Sequence, residues 1–117
     1  MVVDDLSDTE VDRLFHALAD RTRRDIVQRT MTGDHSVSEL ARRYDMSFAA
    51  VQKHVAVLER ADLVRKTRRG SERLVHTNID AVRHAQTLLD ELETLWRDRL
   101  DRFETVLAEP DRRGPTQ

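Results

Sequence analysis

The chain is expected to fold as a mainly α-helical domain carrying one small β-hairpin, in the order α-α-α-α-β-β-α. Three observations predict this. Of the 117 residues, 36% are charged, only three are glycine and two are proline, a mix that favours helices with heavily charged outer faces. Apolar residues recur at intervals of three and four over most of the length. Strand formers gather only around residues 64–77, about a single glycine.

The length suits one domain, and a hydrophobic content of 38% limits it to a modest core. Residues 1–109 are expected to form that domain, with 110–117 a frayed tail after Pro110. There is no cysteine, which excludes disulfides and thiolate metal sites and agrees with a reducing, cytoplasmic setting. No apolar run approaches the length of a membrane span. The opening MVVDDLSDTE is acidic and lacks the basic and apolar regions of a signal peptide.

Ser7 with Glu10 three residues later has capping-box spacing. Val11, Leu14, Phe15 and Leu18 then form one apolar stripe of a first helix. Asp20 can cap a second helix, with Ile26, Val27 and Met31 inward and Gly33 suited to a left-handed C-terminal position. Ser36 and Glu39 repeat the capping-box spacing, so SVSELARRY is a short third helix with Val37, Leu40 and Ala41 inward. The segment DMS allows only a tight turn, in which Asp45 is expected to take unusual backbone angles. Ser47 caps a fourth helix, 47–61, with Met46 and Val51 at the hydrophobic-staple positions. Leu63-Val64 and Leu74-Val75, bent at Gly70, form the hairpin over 64–77. Asn78 caps a long last helix whose stripe is Val82, Ala85, Leu89, Leu92, Trp96, Leu100, Phe103 and Leu107, widened by Leu88 and Leu95.

Two short helices joined by so tight a turn are a helix-turn-helix arrangement. In the second of them Val51, Val55 and Leu58 share a face that can pack inward. Phe48, Ala49, Gln52, Lys53 and Ala56 share another, too mixed for core and too poor in charge for an ordinary solvated surface. A helix entering the DNA major groove needs such a face, because small residues allow close approach and a few polar ones reach base edges. Gln52 can pair with adenine N6 and N7. Lys53 can donate to guanine or to phosphate. Phe48 and Ala49 can touch thymine methyl groups, and Ser47 sits at a helix N-terminus that favours a phosphate oxygen. The plainer alternative is a surface helix whose Phe48 packs on its own neighbours.

Arg65, Lys66, Arg68, Arg69 and Arg73 crowd around Gly70. Phosphates attract such a cluster through counterion release, and an arginine at the tip can also enter a narrow minor groove. The whole chain carries a net charge of −2, yet residues 36–78 carry nine basic and five acidic side chains. A basic middle between acidic flanks points to a localised anionic partner.

These segments together resemble one known family. LFHALADRTRRDIV, SVSELARRYDMSFAAVQKHVAVLERADLV and RKTRRGSERLVHTN are similar, in series, to the first helices, the helix-turn-helix and the wing of ArsR-type winged helix-turn-helix transcriptional regulators. The likeness covers roughly residues 10–107. The resemblance implies a homodimer joined through its first and last helices, bound to a partly palindromic double-stranded DNA operator, usually as a repressor released by an effector. Leu14, Leu88, Leu92, Leu95, Trp96 and Phe103 are the expected interface, and the last helix does offer more apolar stripe than one small domain covers. The alternative is that this helix folds back on its own core. Arg21 stands where the family often has proline, Asp45 and Asp62 where it often has glycine, and Phe48 where a polar DNA-contacting residue is common.

Members that sense metals do so through cysteines on the third helix, which is SVSELARRYD here, or through acidic and histidine ligands on the last helix. There this chain has His84, with Asp80 one turn earlier, and His76 nearby in sequence. Zinc needs three or four ligands, so neither a metal nor any cofactor is expected. His54 matches a family position and is expected to pack and hydrogen-bond. No small-molecule effector is marked by a residue. No nucleophile with a paired base, no phosphate-binding glycine loop and no ligand set points to an enzyme. The rival to DNA binding is a protein-binding module that offers its basic face to an acidic partner.

Overall fold

The computed structural model describes residues 6–108. Helices α1 (Asp8–Leu18) and α2 (Arg21–Thr32) are followed by a two-residue strand β1 (His35–Ser36). Helices α3 (Val37–Ala41) and α4 (Phe48–Arg60), the hairpin β2 (Val64–Arg69) and β3 (Glu72–Thr77), and helix α5 (Ile79–Ala108) complete the order. Two compact units result, one ending at Ala85 and one beginning at Gln86. The proposed tail, 110–117, lies outside the described residues.

The caps behave as their chemistry demands. Ser7 and Ser36 each accept from the backbone N–H three residues on, while Glu10 and Glu39 accept from the cap's own N–H. Those hydrogen bonds hold both carboxyls below the ordinary glutamate range. Asp20 accepts from the Arg23 N–H at 2.9 Å, and Ser47 from the Ala50 N–H at 3.1 Å.

Four expectations need correction. Gly33 is extended, with φ −178°, because the chain leaves α2 straight into β1 and not through a left-handed turn. Strand β1 itself was not foreseen, since two residues cannot display an alternation; it pairs with β3 and makes a three-stranded antiparallel sheet, β1-β3-β2. Met31 is exposed. Asp45 keeps a negative φ, and among the described non-glycine residues the left-handed conformation falls on Asp62, at φ 59°.

The core of the first unit gathers Leu14, Ile26, Leu40, Val51, Val55, Leu58, Leu63, Val64 and Val75. The helical members come from the predicted stripes, and Leu63, Val64 and Val75 from the predicted hairpin and its approach. Buried polar groups are satisfied: the Thr30 hydroxyl lies 2.8 Å from that of Thr77, which donates to the Val27 carbonyl at 2.9 Å and so ties α2 to β3. No buried side-chain polar atom among the described residues lacks a partner. The turn after α3 is held from α2. The Tyr44 hydroxyl donates to Asp25, Arg29 donates to the same carboxylate at 2.8 Å, and the Arg29 guanidinium lies 5.8 Å from the Tyr44 ring centre. No helix among the described residues is long and apolar enough to cross a membrane.

Two outcomes follow. Leu58→Ala should lower unfolding free energy by about 2–5 kcal/mol, through lost transfer energy plus an unfilled cavity, read from urea denaturation. The single tyrosine makes the second measurable. Burial first, then the bond to Asp25, pushes the Tyr44 hydroxyl from 10.0 up to about 12. Its folded value thus exceeds its unfolded one, so its contribution to stability is intact below pH 10 and lost as pH rises towards 12. Urea midpoints of the wild type should fall across that window more steeply than those of Tyr44→Phe; parallel profiles would contradict the assignment.

Candidate nucleic-acid interface

Helix α4 divides cleanly into two faces. Val51, Val55 and Leu58 have no exposed surface, whereas Ala49, Gln52 and Lys53 are exposed and Phe48 is 46% exposed. Phe48 therefore does not bury itself among its neighbours. Ala56 is half-buried at the border. Ser47 is exposed, with its hydroxyl committed to capping.

What holds this helix in place was largely invisible in the sequence. Arg23 donates to the carbonyls of Ala17 (2.8 Å) and His16 (3.1 Å) at the end of α1, and its Nη1 lies 3.3 Å from His54 Nδ1 on α4. Arg24 takes the Leu18 carbonyl at 2.8 Å. A cation on the last carbonyls of a helix satisfies acceptors that lack intrahelical partners. One guanidinium thus joins α1, α2 and α4. His54 fills the packing and hydrogen-bonding role expected of it, with Asp20 3.9 Å away.

The exit from α4 aims the hairpin. The Leu63 N–H donates to Leu58 and the Asp62 N–H to Glu59, the bond pair of a Schellman ending, in which Asp62 occupies the left-handed position usually given to glycine. Its side chain offsets that strain. Asn78 Nδ2 donates to both the carbonyl (2.8 Å) and the carboxylate (3.1 Å) of Asp62, and the Asn78 N–H donates to Leu63 at 2.8 Å. Arg65 Nε and Nη2 each reach the same carboxylate at 3.2 Å. A sequence signal existed: an aspartate in a glycine position, three residues before an arginine.

Beyond this anchor the five predicted cations separate into two groups. Arg65 is paired with Asp62, and Lys66 lies 3.6 Å from Glu59. Arg68, Arg69 and Arg73 carry no ion pair among the described residues. In the β2–β3 register Arg68 stands directly opposite Arg73, on the same side of the ribbon as the buried Val64 and Val75 pairs nearer its base. Gly70, at φ 63°, turns the tip. Opposed like charges destabilise a ribbon, so an anion between them is the natural complement.

In the second unit Leu92, Leu95, Trp96 and Phe103 are all more than half exposed, together with Leu89, Val106 and Leu107. Arg99 stacks 5.7 Å from the Trp96 ring. Leu88 is half-buried. Leu14 needs correction: at 2% exposure it belongs to the core, because its stripe on α1 packs inward, and it has no surface to give an interface. Among the described residues no group of three or more His, Asp or Glu side chains is placed to hold a metal. His84 instead lines a cavity of about 110 Å³ with Glu10, Arg13 and Asp62.

Comparison with known proteins places this geometry. A helix-turn-helix domain family matches residues 18–67. The HTH-type transcriptional regulator Rv2034 of Mycobacterium tuberculosis is 40% identical over 83 residues, covering 71% of this chain and 78% of the relative. An ArsR-like transcriptional regulator from Rhodococcus sp. RHA1 superposes with a TM-score of 0.78 at 27% identity, over 85% of this chain and 91% of that one. The homodimeric winged helix-turn-helix DNA-binding domain of Mb0332 from Mycobacterium bovis, at TM-score 0.60 and 21% identity over 80% of this chain and 91% of that one, shares the fold. Helix-turn-helix, basic wing and relatives agree, and the chain belongs to the ArsR-type winged helix-turn-helix family of DNA-binding transcriptional regulators.

Proposed function

We propose that this chain acts in the cytoplasm as a homodimeric repressor that reads a partly palindromic operator. Helix α4 enters the major groove and the wing grips phosphates or the adjacent minor groove. The observation that carries this is the face of α4: Phe48, Ala49, Gln52 and Lys53 lie exposed on one side while the opposite side is wholly buried. Gln52 reads adenine, Lys53 reads guanine or holds phosphate, and the two small or apolar residues sit against thymine methyls. The tip arginines, which carry no ion pair among the described residues, supply sequence-independent attraction. Neither a metal nor catalysis enters the mechanism.

Dimerisation rests on α5. Its run of exposed leucines with Trp96 and Phe103 is a larger apolar surface than a lone subunit keeps in water, and a fold neighbour is itself a homodimer. Two copies joined there would present two α4 helices to successive major grooves, half-sites about 34–36 Å apart.

Selection from random duplexes should enrich a two-fold symmetric site with half-sites roughly one helical turn apart. Gln52→Ala should flatten preference at one base pair per half-site, by about 1–3 kcal/mol. If no sequence is enriched, the protein-partner reading takes over. Trp96 is the only tryptophan, so its emission reports the interface directly. It should shift to shorter wavelength as wild-type protein is concentrated, and Phe103→Glu should abolish the shift. A single subunit in sedimentation at concentrations that occupy the operator would refute the dimer.

A further inference from the structure

The wing's five cations have different surroundings. Arg65 shares two 3.2 Å contacts with the Asp62 carboxylate, and Lys66 lies 3.6 Å from Glu59. Glu59 lies in the last turn of α4 and Asp62 in the turn that leaves it, so the end of the reading helix and its exit carry the countercharges for the wing's base. Arg68, Arg69 and Arg73, toward the tip, have no ion pair among the described residues, and Arg68 and Arg73 oppose one another in register.

Resting on the DNA reading above, we infer that Asp62 and Glu59 mask the base of the wing, so that its phosphate grip is confined to Arg68, Arg69 and Arg73 at the tip. The physical basis is ion accounting. A free arginine that meets a phosphate releases a counterion condensed on the DNA, and binding weakens with salt accordingly. An arginine already paired with a carboxylate must leave it. While it stays paired it presents no net charge to the duplex and neutralises no phosphate, so it displaces no condensed counterion. This holds even though exposed ion pairs contribute little to folding, because the salt dependence counts ions and not the strength of the pair.

Masking has a consequence for specificity. A wing gripping with all five cations would hold any duplex, whereas one gripping only at the tip leaves more of the binding to α4. Asp62 is then a positioning residue twice over: it sets the hairpin's exit through its left-handed backbone and Asn78, and it withholds Arg65 from phosphate.

The test is the salt dependence of binding to one mixed-sequence duplex, for the full chain and single variants. Asp62→Asn suits it, because asparagine tolerates the left-handed conformation and its side-chain oxygen can still accept from Asn78; thermal melts establish that it folds. Per subunit, Arg68→Ala and Arg73→Ala should each flatten the plot of log affinity against log salt by about 0.9, whereas Arg65→Ala should leave it unchanged. Asp62→Asn should steepen it by about 0.9, and adding Arg65→Ala to that variant should restore the wild-type slope. Glu59→Gln should act likewise through Lys66. Equal flattening by Arg65→Ala and Arg68→Ala, or no steepening in Asp62→Asn, would overturn masking while leaving DNA binding intact. Salt-independent or absent duplex binding by the wild type would instead remove the DNA reading, and masking with it.

Discussion

The full burial of Val51, Val55 and Leu58 on one face of α4 is the constraint on which the rest depends. Each such side chain contributes about 1.5–3 kcal/mol when removed from water. Together they fix the rotation of the helix about its axis. At 100° per residue, with three residues pinned inward, the positions of Gln52 and Lys53 are no longer free. The outward face exists because the inward one is satisfied. Arg23 completes the restraint by linking the end of α1 to His54 on α4, so the helix is held in rotation by packing and against its neighbours by hydrogen bonds.

The direction in which the chain leaves α4 is set by a different balance. A left-handed non-glycine residue costs about 1–2 kcal/mol. At Asp62 that strain is offset by side-chain bonds to Asn78 and Arg65 that glycine could not make. Glycine would be relaxed there but would leave Asn78 with the backbone carbonyl alone and Arg65 without its carboxylate. One residue therefore fixes the backbone turn, anchors the start of α5 and tempers the charge of the wing.

Much of this was legible beforehand. The capping serines, the α4 faces and the Gly70 bend follow from local chemistry: a side chain reaching its own helix end, a period of 3.6, or a residue without a Cβ. The five wing cations were equally legible as residues. Their division into paired and unpaired groups was not, because it depends on Glu59 in α4 and Asp62 in the turn that follows it. Strand β1 was hidden since its two residues gain meaning only from Val75 and Leu74 across the sheet. Arg23 and Tyr44 were missed for the same reason, their partners lying on other elements. Leu14 was assigned to an interface because the resemblance gives α1 that role. Its stripe also serves the core, and periodicity alone does not say which partner covers it.

The overall charge makes the local arrangement matter. With a net charge of −2 the protein has no long-range attraction for a polyanion, and at physiological salt a charge acts over about 8 Å. Affinity for DNA must then come from groups that touch it. A strongly basic protein would lose little if two of its cations were masked. Here, where the largest basic excess lies in residues 36–78, the proposed withholding of Arg65 and Lys66 from phosphate would remove a large share of the nonspecific pull. On the proposed reading, what remains falls on the base edges offered to Gln52 and Lys53. An acidic protein with a small wing masked in the proposed way would thereby be weighted towards reading sequence and away from holding any duplex it meets.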